Sequence, residues 1–90
     1  MTIHDLKCWP GPFGAIARGT KCFEFRRDDR GFRVGDTLRL RMWNPVTEEY
    51  LGPICNVQVT YLLRGPDFGM PEGYCVMSLG VPSGDRATQS

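Results

Sequence analysis

Ninety residues suffice for one domain with one small core, and a 41% apolar content argues against disorder outside the ends. A net charge of +1 excludes a strongly polycationic nucleic-acid binder, and no apolar run approaches membrane-spanning length. The balance hides an asymmetry: residues 18–41 carry eight basic and four acidic residues, net +4, which leaves −3 for the remainder and predicts one basic face able to meet an anionic partner.

In chain order, Ile3 to Cys8 alternates as a first strand would, and Trp9-Pro10-Gly11-Pro12 breaks it. Phe13 to Arg18 predicts a short helix with Pro12 in its first turn and Gly19 as its stop. Cys22 to Arg26 forms a second strand, with Phe23 and Phe25 expected in the core, and Asp28 to Arg33 is a loop. Val34-Gly35-Asp36 turns into Thr37 to Trp43, the cleanest alternation in the chain. There Leu38, Leu40 and Met42 face one way, Arg39, Arg41 and Trp43 the other.

Asn44-Pro45 opens a hairpin that returns through Glu48 to Leu51, and Gly52-Pro53 is expected to interrupt it before Ile54 to Leu63. In that last strand Val57, Val59, Tyr61 and Leu63 share one parity. Arg64 to Gly73 is turn chemistry, Tyr74 to Leu79 is a closing apolar strand, and 81–90 is a polar tail beyond a single domain over 1–80. Five or six short strands with one early helix predict a small α+β domain whose sheet curls into a barrel, because closure removes exposed edges.

Cys8, Cys22, Cys55 and Cys75 stand at spacings of 14, 33 and 20, with a single histidine, His4, in the chain. Structural zinc sites use short paired spacings, so no metal and no cofactor is expected. The polar N-terminus does not resemble a signal peptide, so the cysteines are expected reduced and the protein cytoplasmic, without a membrane partner. His4 has no acid at a recognisable spacing and reads as structural. Gly11 and Gly14 flank a proline and form no phosphate loop.

The stretch richest in chemistry is Gly19 to Arg30. Lys21, Glu24 and Arg26 sit between a helix stop and a charged turn, where side chains converge on a ligand or simply pair with one another at the surface. Arg26 suits bidentate contact with phosphate or carboxylate. Glu24 can accept from the amino group of a base or act as a general base, with Lys21 stabilising an oxyanion. Lys7 is a candidate to join these side chains from the end of the first strand, and Tyr74 to present its hydroxyl beside them. Arg30, Arg39 and Arg41 would extend the basic surface. Trp43 adds an aromatic of the kind that stacks on nucleobases, or covers the open end of the barrel.

His4 to Lys7, Gly19 to Arg26, Asp28 to Arg30, Val34 to Leu38 and Gly73 to Leu79, in this order, resemble a short ASCH domain of the PUA-like superfamily, over residues 3–80. The pattern is similar to a compact branch of unknown function carried by bacteria and their phages. The resemblance implies a PUA-like barrel with a cleft beside the first helix, faced by Lys21, Glu24 and Arg26. It also implies RNA or nucleotide binding. Some such proteins are amidohydrolases acting on an acylated cytidine, using a lysine in the position of Lys21 and a threonine nucleophile where this chain has Glu24. Others are ribonucleases.

Three functions stay open on these residues. One is an RNA- or nucleotide-binding module. The second is a small hydrolase with Glu24 as base and Lys21 as stabiliser. The third is a phage-type inhibitor whose basic face docks on a host protein partner. A monomer is expected, with the Trp43 strip as the alternative contact of a dimer.

Overall fold

A computed structural model describes residues 1–84 of the chain. The first strand, β1 (Ile3–Cys8), buries His4, Leu6 and Cys8 and exposes the residues between, as a half-buried strand requires. The helix α1 spans Pro10–Ala17, earlier than the expected 13–18. Pro10 and Pro12 both fall in the first turn, where no N–H is needed, and the first intrahelical bond runs from Phe13 N to Trp9 O at 2.9 Å. At the other end Gly19 takes a φ of +82°, with Gly19 N on Ile16 O and Thr20 N on Ala15 O. These two bonds form a Schellman cap, which delivers the chain directly to Lys21. Gly11 lies inside α1 with open space where a Cβ would stand. Its chain neighbours decide the outcome instead: the Pro12 ring crowds a Cβ on the residue before it in helical backbone, so Gly11→Ala is expected to bring no gain in Tm in a thermal melt.

Four more strands build the sheet: β2 (Phe23–Arg27), β3 (Thr37–Asn44), β4 (Glu49–Arg64) and β5 (Tyr74–Leu79). Their order is β1-β3-β4-β5-β2; β1 and β3 are parallel, and the other pairings are antiparallel. Ser83–Gly84 (β6), within the expected polar tail, adds a short pairing to β4, and residues 85–90 of that tail lie outside the described residues. The fold is thus α+β with a curled, mostly antiparallel sheet, but the expected barrel does not close. β1 and β2 end the strand order with no ladder between them, and side chains cross that gap instead.

β4 corrects two expectations. Gly52-Pro53 does not interrupt it, because Gly52 adopts a φ of +102° inside a bulge where Arg41 pairs with Ile54 and Trp43 with Tyr50. A second irregularity between Val59 and Tyr61 flips the facing of the strand. Cys55, Val57 and Val59 are buried, whereas Tyr61 is exposed and Leu62 packs on the core in its place. One long strand thereby serves β3 with its first half and β5 with its second.

The core gathers Leu6, Phe13, Ile16, Leu38, Leu40, Val57, Val59 and Met77 around Phe32, which the loop between β2 and β3 drives fully inside. Burying Phe32 contributes about 2–3 kcal/mol. Arg64 pins that loop through Asp28 Oδ2 at 2.6 Å and through Phe32 O. At its far end Asp36 acts as a hub. Its carboxylate accepts from Thr2 N at 3.1 Å, Arg33 N at 3.0 Å and His4 Nε2 at 2.8 Å. The His4 ring meets Phe32 edge-on at 4.8 Å. His4 is buried, and it does have a partner acid, which its spacing in the chain does not show: the Asp36 of the Val-Gly-Asp turn.

Candidate functional site

β2 has the facing opposite to the one its hydrophobicity predicts. Glu24 is 6% exposed, while Phe23 and Phe25 are each 48% exposed. A buried carboxylate requires paired cations, and the cap of α1 together with the strand repeat supplies them. Lys21 Nζ donates to Glu24 Oε1 at 3.2 Å and to Phe23 O at 3.0 Å. Arg26 Nη1 donates to Glu24 Oε2 at 2.7 Å. The Lys21 and Arg26 side chains keep 23% and 27% of their surface, so both cations remain reachable from solvent. Each carboxylate oxygen still has a lone pair free for a further donor.

The same arginine crosses the open side of the sheet. Arg26 Nη1 reaches Lys7 O at 3.5 Å, and Arg30 Nη1 donates to Asp5 O at 2.9 Å. These carbonyls belong to the edge of β1 that faces away from β3, so guanidinium groups stand where a neighbouring strand would. Between the two edges lies a cavity of about 420 Å³. β1 and α1 contribute Lys7, Cys8, Trp9 and Pro12 to its wall. β2 contributes Lys21, Glu24, Phe25, Arg26 and Arg27, and the rest comes from Asp29, Arg30 and Tyr74. Five cations face two carboxylates there, a local charge of +3.

Six expected site residues are thus brought together: Lys7, Lys21, Glu24, Arg26, Arg30 and Tyr74. Arg39, Arg41 and Trp43 are not among the cavity's lining; they occupy the outward face of β3, where Arg39 Nε lies 3.6 Å from Asp5 Oδ1. Sequence reasoning missed Trp9, Phe25 and Arg27. Trp9 was legible as an aromatic beside a Pro-Gly break, 59% exposed in the fold. Phe25 and Arg27 sit on the parity assigned to the core, and Phe25 stacks on Tyr74 at 5.4 Å with 14° between the planes.

The one thiol in the cavity wall is not poised as a nucleophile. Burial, and then the Glu24 carboxylate, push the Cys8 thiol up to about 11, so it forms a neutral wall at physiological pH. Among the described residues no three His, Cys, Asp or Glu side chains converge as a metal set, and no helix is long and apolar enough to cross a membrane.

A family model described as a domain of unknown function, DUF3850, matches residues 3–79. The uncharacterized 12.9 kDa protein in the GpA 3' region of Escherichia phage P2 is 42% identical over 41 residues, which is 46% of this chain and 38% of the phage protein.

Proposed function

Because the chain belongs to the DUF3850 family, a domain of unknown function, we propose on the geometry of its cavity that it is an RNA- or nucleotide-binding module of the ASCH/PUA-like kind. The observation that carries the reading is the convergence of Lys21, Arg26, Arg27 and Arg30 with the exposed rings of Trp9 and Phe25 in one cavity. Phosphates are drawn by the cations, and base faces stack on the rings. Glu24, fixed by Lys21 and Arg26, offers its remaining lone pairs to a base amino group.

The test is anisotropy titration of single-stranded RNA and of a nucleoside monophosphate at two salt concentrations. Lys21→Ala combined with Arg30→Ala removes two cavity cations and leaves Glu24 paired with Arg26. Binding is expected to weaken by about tenfold or more and its salt dependence to become shallower, since Lys7, Arg26 and Arg27 remain in the cavity. Unchanged affinity in a variant with an unchanged melt would end the proposal.

The hydrolase reading rests on Glu24 being a buried carboxylate inside the cavity. Product analysis of the same mixtures separates it, since turnover abolished by Glu24→Gln with binding retained would make the protein an enzyme. Both oxygens of Glu24 accept from cations, an arrangement better suited to positioning than to taking a proton.

A further inference from the structure

Beyond the cavity, cation and ring alternate along a continuous strip. Lys7 lines the cavity and also sets its Nζ 4.0 Å above the Trp43 ring. Trp43 meets Tyr50 edge-on at 4.9 Å, and Arg41 Cζ lies 3.8 Å over Tyr50. On the opposite rim Arg27 Cζ lies 5.3 Å over Tyr74, which stacks in turn on Phe25. The register of the sheet produces the first track: Lys7 lies beside Arg41 across β1 and β3, and Trp43 beside Tyr50 across β3 and β4.

We propose that the ligand is a single-stranded RNA of several nucleotides, running from the cavity onto the outward face of β1, β3 and β4 along Lys7, Trp43, Arg41 and Tyr50. The proposal rests on the RNA- or nucleotide-binding reading and selects a strand over a free nucleotide. Two observations favour it. A lone nucleotide fills the cavity and leaves the track idle, yet Tyr50 is 44% exposed and Lys7 is exposed as well. Among the described residues, neither Lys7 nor Arg41 pairs with a carboxylate; each rests on a ring, while Asp5, the acid on that face, lies against Arg39. Cations stacked on rings offer a polyanion both charge and flat surface, the pairing used by sequence-tolerant single-strand binders with footprints of about 4–16 nucleotides.

The experiment compares a nucleoside monophosphate, a dinucleotide and a hexanucleotide of one base, titrated against wild type, Trp43→Ala and Arg41→Gln. Arg41→Gln guards against loss of packing at Trp43. The hexanucleotide is expected to bind at least about tenfold more tightly than the monophosphate. Its salt dependence should also be steeper, by about 0.7 in logarithmic slope for each added phosphate contact. Both variants should remove that gain and leave the monophosphate affinity unchanged. Equal affinity for the two lengths, or a gain that survives either variant, would overturn the strand proposal and leave the cavity reading standing. Failure to bind any of these ligands would overturn both.

Discussion

Asp36→Ala is expected to lower stability by about 3 kcal/mol and Tm by roughly 15 °C. The carboxylate takes three hydrogen bonds, from Thr2 N, Arg33 N and His4 Nε2, and is only 3% exposed. Alanine strands those donors in a place water reaches poorly, while a domain this size has about 5–13 kcal/mol in total. Urea or thermal unfolding reads the loss, and a Tm within a few degrees of wild type would refute the hub.

The same residue sets an acid dependence. The hydrogen bond from His4, followed by those from the Thr2 and Arg33 amides, holds the Asp36 carboxyl below its usual value against the opposing effect of burial. A carboxylate with a lowered folded pKa stabilises fully above its unfolded value, about 3.9, and that contribution disappears as pH falls through the lowered one. Wild type should therefore lose stability in acid below pH ~4. Asp36→Asn, which cannot ionise, should show a flatter acid limb.

Gly65→Ala is expected to cost about 3 kcal/mol for a different reason. A methyl on Gly65 would stand 1.9 Å from Pro71 O and 2.6 Å from Pro71 C, both backbone atoms that no rotamer change can move. Relief requires displacing the segment that returns the chain to β5, where Gly65 N bonds Tyr74 O at 2.9 Å and Tyr74 N bonds Pro71 O at 3.3 Å. Tyr74 also walls the cavity, so the variant should disturb that wall along with the fold. A variant that melts like wild type would show that this segment yields cheaply.

Much of this architecture is legible in the chain wherever one face of an element is apolar. β1 and β5 end where their alternation does, and Leu38 and Leu40 are buried as their parity predicts. Legibility fails where backbone geometry or pairing overrides pattern. Gly-Pro at 52–53 looks like a stop, but a bulge absorbs it. Phe23 and Phe25 look like core, but two cations make it cheaper to bury Glu24 between them. The convergence of Lys21, Glu24 and Arg26 was readable from their position between the helix stop and the charged turn. The arginine crossing to β1 was not, because it depends on which strands end the sheet, and Phe32 in a charged loop gave no periodic signal.

The guanidinium contacts to Asp5 O and Lys7 O bear on the company the molecule keeps. A strand edge with bare carbonyls is a template on which other chains align and precipitate. Here two of those carbonyls are already taken by groups that carry charge and shed apolar neighbours. An incomplete sheet thus has two places along this edge where a strand from another chain would have to displace a charged group before it could pair.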